Sequence, residues 1–335
     1  MIHRTVSTWQ GSRWQDELTN LIRSPAELIK LLELDPALVP PALDAAETFS
    51  LRVPRPYAAR IRKGDPNDPL LRQVLPLGDE LIAAPGYSSD PLQENATNPL
   101  PGLIHKYPGR VLLVVSGSCA INCRYCFRRH FPYEDNNPSR AAWQQALDYI
   151  RADNSITEVI YSGGDPLSAP DRHLTWLTQE VEAIAHVRRL RIHTRLPVVI
   201  PSRLDDACLE WMSGHRLHTS LVIHSNHANE IDQHLAEALQ RTRAAGIILL
   251  NQTVLLKGVN DSLPVLSDLS ERLFTCGVLP YYLHLLDKVT GAQHFDVEPE
   301  LALTLHQQLR DTLPGYLVPK LVRELPGAQS KTPVV

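Results

Sequence analysis

Three cysteines within eight residues are the strongest chemical signal in the chain. Cys119, Cys123 and Cys126 lie in the segment SGSCAINCRYCFRRH with the spacing C-x3-C-x2-C. Thiolates are the usual ligands of iron–sulfur clusters, and three of them leave the fourth iron of a cubane open to another ligand. A structural zinc site normally has four ligands, so a histidine would have to complete it. The density of the cysteines and their position after an apolar run favour the cluster over zinc or over three buried thiols.

A second candidate motif, YSGGDP, ends the next apolar run of the sequence. Gly163 and Gly164 allow the backbone to approach a ligand closely. Asp165 could accept a hydrogen bond from that ligand. Most glycine pairs of this kind are turns, so the motif on its own leaves both interpretations open.

Lys331, in the segment PGAQSKTPVV, is the third candidate. A lysine near a chain end is usually solvated and mobile, and composition alone favours that interpretation. The alternative is a Schiff-base lysine for pyridoxal phosphate, which needs close backbone approach and a reachable amine. A further metal site is suggested by three histidines, His224, His227 and His234. His-x2-His on a loop is common without metal, so this is the weaker hypothesis.

Alternating strands and helices must position these residues. From Val111 onward, short apolar runs alternate with amphipathic stretches, which predicts parallel βα units. The predicted strands are VLLVVSG, TEVIYSGG, RLRIHTR, TSLVIHS, IILLNQTVL, VLPYYLHLL and YLVPKLVREL. Helices are expected to begin near Ser139, Asp171, Ser202, Glu230, Ser262 and Glu298. About six units and a closing strand predict an α/β fold with a partial (βα)6-type barrel, whose site lies at the C-terminal ends of the strands.

Residues 1–100 have a different texture, rich in Pro, Asp, Leu and Arg. The pattern predicts helices near Trp14–Leu34 and Pro41–Ala46, followed by an irregular stretch. Because proline lacks a backbone donor, this part is expected to wrap a surface instead of building a sheet. The sequence therefore predicts an N-terminal helical and wrapping segment, 1–100, and a barrel, 101–335, that ends in the Lys331 segment.

Composition and charge narrow the function classes. Hydrophobic residues make up 43% of the 335 residues, and the formal net charge is -4. This balance is typical of a globular protein and gives no support to non-specific nucleic-acid binding. No apolar run approaches the roughly 20 residues that span a bilayer, and the first residues lack the apolar core of a secretory signal. We expect a cytoplasmic protein with no membrane partner and no disulfide framework.

The cysteine segment resembles the signature of the radical S-adenosylmethionine superfamily, which has this spacing and an aromatic residue before the last cysteine, here Tyr125. The resemblance implies a [4Fe-4S] cluster whose open iron binds the amino and carboxylate groups of S-adenosylmethionine. Reduction by a donor such as flavodoxin or ferredoxin then yields a 5′-deoxyadenosyl radical. Tyr125 would lie against the adenine. Gly163, Gly164 and Asp165 would match the methionine-binding GGE/GGD element of that superfamily.

From about residue 54 onward, the chain also resembles the lysine 2,3-aminomutase family. The matching stretches are DPNDPLLRQVLP, HKYPGRVLL, SGGDPLS, VVIPSR, NQTVLLKGVND, PYYLHLLD and PGAQSKTPV. In that family the lysine of the PG-x3-K-T-P element carries pyridoxal phosphate, so Lys331 is implied as the catalytic lysine. Arg110 matches an arginine of the cofactor site, and Lys106 and Gln252 are further candidate phosphate contacts. Lys106 replaces the usual arginine, so a bidentate contact would become a point charge.

The same resemblance implies an isomerase that acts on L-α-lysine. Arg128 matches the arginine that binds the substrate carboxylate, and Asp287 matches an acidic residue that holds the ε-ammonium. Glu324 stands where the family normally has a second aspartate and reaches one methylene further. Two acidic positions favour lysine over glutamate, whose side-chain carboxylate they would repel. The implied product is (R)-β-lysine, formed when the α-nitrogen migrates to Cβ.

One branch of the family is favoured by what is missing around Ser262. In catabolic members of the family, a structural zinc is bound by cysteines of a C-terminal extension together with a cysteine at this position. Because this chain has serine there, we expect no zinc site. We interpret Cys208 and Cys276 as buried thiols. The short form resembles the branch that supplies β-lysine for translation elongation factor P, to which a lysine ligase attaches it. Free-lysine catabolism or osmolyte synthesis, a radical enzyme that modifies tRNA, and an iron–sulfur sensor stay open as alternatives, although a sensor has no use for Lys331.

Overall fold

The fold is described from a computed structural model, which covers residues 13–94, 98–133 and 139–335. Residues 1–12, where a secretory signal would have begun, lie outside the described residues. Residues 95–97, which belong to the stretch predicted to be irregular, and residues 134–138 also lie outside them.

Nine strands form one sheet in chain order. They are β1 Leu103–Tyr107, β2 Arg110–Ser116, β3 Glu158–Gly163, β4 Arg189–Thr194, β5 His218–His224, β6 Ile248–Val254, β7 Leu279–His284, β8 Lys320–Arg323 and β9 Thr332–Pro333. Strands β2 to β8 are parallel, each paired with the next, whereas β1 and β9 add antiparallel at the two edges. Within the described residues the sheet does not close, which confirms the predicted partial barrel.

Every connection between successive parallel strands carries a helix. These helices are α6 Arg140–Ala152, α7 Asp171–Glu182, α8 Leu196–Val199, α9 Asp206–Ser213, α10 Gln233–Ala244, α11 Leu263–Thr275 and α12 Pro299–Thr312. Helix α6 shows why they pack on the sheet: Trp143, Ala146, Leu147 and Ile150 are buried at spacings of one helical turn. The repeated βα connection turns the C-terminal ends of β2 to β8 towards one rim.

Two predicted helix starts were wrong by several residues. The helices expected near Ser202 and Glu230 begin after short 3₁₀ turns, because the aspartates that follow are better caps. The side chain of Asp205 accepts a hydrogen bond from the Cys208 amide at 2.9 Å, and that of Asp232 accepts from the Leu235 amide at 2.9 Å. The start at Ser139 is confirmed, since its hydroxyl accepts from the Ala142 amide at 3.1 Å.

The described part of the N-terminal segment contains five α-helices and wraps the barrel. They are α1 Trp14–Thr19, α2 Pro25–Leu31, α3 Val39–Thr48, α4 Arg55–Ala58 and α5 Pro69–Arg72. The pattern at Trp14–Leu34 is two helices, because Pro25 disfavours helical backbone at Ser24 and Ile22 pairs with Val53 in an isolated bridge.

One hydrophobic core spans the N-terminal segment and most of the barrel. Ile22 and Leu28 belong to the same buried cluster as Leu113 and Leu190. The boundary near residue 100 is therefore a change in sequence composition, and the hydrophobic core continues across it. Among the described helices, none combines the length and apolarity that a membrane crossing needs.

Candidate active site

A cavity of about 950 Å³ opens at the C-terminal ends of the parallel strands. Its wall is built by the cysteine loop after β2, the ends of β3 to β8 and the segment that follows β8. Every site residue predicted from the sequence lines it: Lys106, Arg110, Cys119, Cys123, Tyr125, Cys126, Arg128, Gly163, Gly164, Asp165, Gln252, Asp287, Glu324 and Lys331. The fold thus brings together residues that lie more than 200 positions apart in sequence.

The N-terminal segment holds the cysteine loop in place. Arg52 donates from its guanidinium to the Cys119 carbonyl at 3.2 Å. Arg124, within the loop, is fully buried and forms a bidentate ion pair with Glu80 at 2.6 and 2.8 Å. Because a buried guanidinium must be paired to be tolerated, this contact fixes the loop against the wrapping segment. The wrapping segment therefore has a direct role in placing the cysteines.

The three cysteines are half-buried free thiols that line the cavity. Burial raises the pKa of all three thiols, that of Cys126 to about 12, while Arg195 partly opposes the rise at Cys123. Within the described chain, no three His, Cys, Asp or Glu side chains converge as ligands of one metal ion would. A cubane does not need that convergence, since each thiolate binds its own iron. The donor set fits a cluster whose assembly drives off the thiol protons.

Gly163 and Gly164 are required by the cysteine loop. Gly163 has φ +123, and a Cβ there would lie 2.5 Å from the Ser116 carbonyl oxygen. A Cβ on Gly164 would lie 2.6 Å from the carbonyl oxygen of Ser118. The Gly164 amide donates to the Ser116 carbonyl at 2.7 Å. The close approach predicted for a ligand is thus already made by protein backbone.

Asp165 positions the ends of two strands. Its carboxylate accepts hydrogen bonds from the Thr194 hydroxyl at 2.6 Å and from the amides of Arg195 at 2.7 Å, Leu196 at 2.9 Å and Leu167 at 3.1 Å. Four donors use the full acceptor capacity of a carboxylate. The prediction that Asp165 accepts a hydrogen bond from the bound ligand is therefore not supported by this geometry, which ties the end of β3 to the end of β4.

Lys331 lies inside the cavity. A hairpin pairs β8 with β9 and returns the chain, so that Lys331 Nζ lies 2.7 Å from Glu324 Oε2 and 5.7 Å from the centre of the Tyr282 ring. Its side chain is 19% exposed, which excludes a solvated tail lysine. Glu324 also accepts from Lys106 at 3.3 Å and from the Tyr107 hydroxyl at 3.1 Å. Burial alone would raise the pKa of Glu324, but Lys331 and Lys106 outweigh it and hold that pKa well below its usual range.

Asp287 has the opposite environment. Burial, and then the nearby charge of Glu324, raise the pKa of Asp287 to about 7, while Lys331 and Lys106 oppose the rise. A carboxyl group poised near neutrality gains a strong partner when an ammonium group binds beside it. Asp287 and Glu324 together give the cavity an acidic end.

Glu94 is the main site residue that sequence reasoning missed. It lies in the proline-rich DPLQENATNPLPG stretch, whose pattern gives no sign of a buried acid. Its carboxylate pairs with Arg128 in a bidentate contact of 2.7 and 2.9 Å and with Lys106 at 3.1 Å. Charges therefore alternate along Arg128, Glu94, Lys106, Glu324 and Lys331.

Three strand-end histidines were also missed or misinterpreted. His193, His224 and His284 lie on β4, β5 and β7, and Gln252 lies between them on β6. Burial lowers the pKa of each imidazole, that of His224 to about 3, so all three are neutral. Their Nε2 atoms and the Gln252 Oε1 atom have no hydrogen-bond partner in the part of the chain that the structure describes. Such buried polar atoms in a cavity wall indicate a polar ligand.

The histidine metal hypothesis is wrong. Among its three residues, His224 lines the cavity, whereas the His227 side chain accepts a hydrogen bond from the Asn229 amide at 3.0 Å and His234 is exposed on α10. The three side chains therefore lie in different environments and do not form one metal site.

Comparison with known proteins identifies the relatives of the chain. Residues 113–266, from β2 into α11, match the family described as the Radical SAM superfamily. The chain is 49% identical to an L-lysine 2,3-aminomutase of Escherichia coli over 98% of this chain and 96% of that protein. It is 50% identical to the Haemophilus influenzae protein of the same name, over 96% of each. The Clostridium subterminale L-lysine 2,3-aminomutase is 35% identical over 98% of this chain and 78% of its own length.

Identity at this level, over nearly the full length of two relatives, decides the family. Membership of the superfamily implies a [4Fe-4S] cluster and S-adenosylmethionine as cofactors. The chain therefore belongs to the L-lysine 2,3-aminomutase family of radical S-adenosylmethionine enzymes and is an isomerase.

Proposed function

We propose that the enzyme converts L-α-lysine into (R)-β-lysine with pyridoxal phosphate carried by Lys331, and that the product serves the β-lysylation of translation elongation factor P. The observation that carries the proposal is the position of the Lys331 amine, which lies in the same cavity as Cys119, Cys123 and Cys126. In this reaction, the radical source and the carbonyl cofactor must both reach the same substrate molecule. A tail lysine folded into the cysteine-lined cavity meets that requirement.

The cysteine end would hold the cluster and S-adenosylmethionine. Tyr125 is fixed for contact with an adenine, because its hydroxyl accepts from Asn226 Nδ2 at 2.7 Å and its ring meets Phe295 edge-on at 6.1 Å. Arg195 is buried beside Cys123, and its Nε and Nη1 atoms find no nitrogen or oxygen partner among the described residues. A guanidinium in this position suits the carboxylate of S-adenosylmethionine.

The phosphate of the second cofactor would be bound by Arg110 and Gln252. Arg110 stacks over the Tyr107 ring at 4.9 Å, and no carboxylate is paired with it among the described residues. The Gln252 side chain lines the same cavity. Lys106 fits this role less well than the sequence suggested, because it is already paired with Glu94 and Glu324. We therefore assign Lys106 to holding the two carboxylates in place.

The acidic end would bind the ε-ammonium of lysine. Glu324 already pairs with the ammonium groups of Lys331 and Lys106, so its carboxylate would also attract the ammonium of a bound lysine. Asp287, whose pKa is about 7, then ionises beside the new cation. Two carboxylates at this end repel the side chain of glutamate and select lysine.

When bound, the cluster with S-adenosylmethionine supplies a 5′-deoxyadenosyl radical, and pyridoxal phosphate supplies the carbonyl that carries the migrating nitrogen. The residues of the chain fix the two ends of lysine so that Cβ faces the radical source.

The test is product analysis under anaerobic conditions. Reconstituted enzyme with lysine, S-adenosylmethionine and dithionite should form (R)-β-lysine on chiral chromatography, and reduced flavodoxin or ferredoxin should replace dithionite. Lys331→Ala is the matched control, which should form none. Formation of β-glutamate from glutamate but no β-lysine from lysine would contradict the substrate assignment.

The elongation factor P role is supported by Ser262, which stands where the zinc-binding branch is expected to have cysteine. Deletion of the protein in its own host should leave elongation factor P without the β-lysyl mass, and added (R)-β-lysine should restore it. Normal modification in the deleted strain, together with loss of growth on lysine, would favour the catabolic alternative.

A further inference from the structure

The guanidinium of Arg128 is almost fully engaged by the protein itself. Its Nε and Nη2 donate to the two oxygens of Glu94 at 2.7 and 2.9 Å. Its Nη1 donates to the Ser162 hydroxyl at 3.1 Å and the Gly163 carbonyl at 3.3 Å. An arginine has five N–H donors, so a single donor is left for any other partner among the described residues. A bidentate contact with a substrate carboxylate needs the pair of donors Nε and Nη2, which Glu94 occupies. We call this pair the fork.

Glu94 is held there as an anion. Its side chain is 5% exposed and lies between Arg128 and Lys106. Burial would raise the pKa of Glu94, but Arg128 and then Lys106 outweigh it and keep that pKa below its usual value. The carboxylate that occupies the fork thus has the charge and geometry of the carboxylate of an amino acid.

The segment that carries Glu94 touches both ends of the site. We call residues 88–94 the strap. Ser88 forms a parallel bridge with Val289, two residues after Asp287, through backbone bonds of 3.0 Å to Lys288 and Thr290. Further along the strap, Leu92 and Gln93 face the loop at 325–328, which leads to Lys331, across a cavity of about 190 Å³. The strap therefore borders unfilled space at Leu92 and Gln93, directly before Glu94 in the chain.

We propose that Glu94 is an internal stand-in for the α-carboxylate of the substrate, and that lysine enters the Arg128 fork by displacing Glu94 and loosening the strap. The inference rests on the proposed function, which gives Arg128 the substrate carboxylate. Glu94 keeps the Arg128 side chain paired and oriented until the substrate binds. When the substrate carboxylate replaces Glu94 on Arg128, Glu94 stays near Lys106. A ligand without a carboxylate has nothing to exchange for Glu94 and leaves the strap in place.

Equilibrium binding to the oxidised holoenzyme tests this without turnover. We expect Glu94→Gln to tighten the calorimetric Kd of lysine by about tenfold, because the fork loses its charged competitor. The Kd of cadaverine, which is lysine without the carboxylate, should be unchanged. Asp44→Asn is the matched control: it removes one negative charge from an exposed position on α3, outside the strap and the fork, and both affinities should stay as in the wild type. A lysine Kd that is unchanged or weaker in Glu94→Gln would overturn the proposal and make Glu94 a fixed support of Arg128.

A second measurement needs no variant. Deuterium exchange at the 88–94 amides of the wild type should rise when lysine binds and stay constant when cadaverine binds. Equal exchange with both ligands would overturn the proposal. If the wild type binds lysine yet forms no β-lysine, the proposed function fails while the binding ratio and the exchange still decide the role of Glu94. If the wild type does not bind lysine, both fail.

Discussion

Lys331 Nζ lies 2.7 Å from one carboxylate oxygen of Glu324, and the other oxygen accepts from Lys106 at 3.3 Å. One carboxylate thus serves two ammonium groups at the acidic end of the cavity. The extra methylene of glutamate, relative to the aspartate usual in the family, lets one side chain reach both lysines.

Glu324→Asp should therefore weaken lysine turnover, because the shorter side chain cannot keep both pairs. We expect KM for lysine to rise several-fold with kcat little changed, since a charge-assisted hydrogen bond contributes roughly 1.5–3 kcal/mol. Steady-state β-lysine formation measures this. Glu298→Asp, at the start of α12, makes the same change at a helix cap and should leave KM unaltered. A lower KM in Glu324→Asp would show that the aspartate pocket of the family is preserved here.

Replacing any one of Cys119, Cys123 or Cys126 with serine should abolish cluster retention. Anaerobically purified wild type should carry about four irons per chain, by analogy with cubane ligation. Cys208→Ser and Cys276→Ser are controls, because both thiols are buried outside the cavity, Cys208 on α9 and Cys276 at the residue that follows α11. Iron and sulfide analysis decides the matter, and equal iron loss in all five variants would refute the ligand assignment.

Lys331→Ala should lose pyridoxal phosphate that borohydride can trap on a C-terminal peptide. It should still cleave S-adenosylmethionine slowly, because the cysteine loop is built by other parts of the chain. Lys288→Ala, an exposed lysine near the same end of the barrel, should keep the adduct. Peptide mass spectrometry after reduction gives the answer, and an adduct on any other lysine would move the cofactor site.

The pH dependence of lysine binding should reflect the ionisation of Asp287. An ammonium group pairs with the ionised carboxylate, and the pKa of Asp287 is raised to about 7. Lysine binding should therefore weaken by up to tenfold per pH unit below about 7 and level off above it, with a proton released on binding at the lower pH. Asp287→Asn should raise KM at least about tenfold and flatten this limb. An unchanged profile in the variant would place the ammonium elsewhere.

Gly164→Ala should disturb the cysteine loop. The added Cβ would lie 2.6 Å from the Ser118 carbonyl oxygen, a backbone atom that cannot yield without moving the loop. We expect a loss of about 1–3 kcal/mol in the free energy of unfolding and a lower iron content. Gly315→Ala is the matched control, because nothing lies within 4 Å of a Cβ at that position. Chemical denaturation and iron analysis of both variants would reveal the difference.

The seven parallel strands were predictable because each is an apolar run between two helical patterns. The edge strands were not. Strand β1 pairs with β2 across the tight turn at Pro108 and Gly109, and the YPGR motif was interpreted only as part of a cofactor site. Strand β9 has two residues and no pattern of its own.

The spacing of the cysteines alone favoured a cluster, but the rest of the candidate site was predictable only where a motif resembled a family. Local sequence cannot show that Lys331 folds back into the cavity, because its position is set by the pairing of β8 with β9. Glu94 gave no signal, because its burial depends on two cations that lie 12 and 34 positions away. Gly163 and Gly164 were recognised, but their neighbour is the cysteine loop, which only tertiary structure reveals.

The position of the last residues has a practical consequence. Val334 and Val335 line the cavity beside Lys331, and Val335 is fully exposed. A purification tag fused after Val335 would begin at the rim of this cavity and hang over its entrance. Measurements of cofactor content or substrate affinity on such a protein would partly report on the tag.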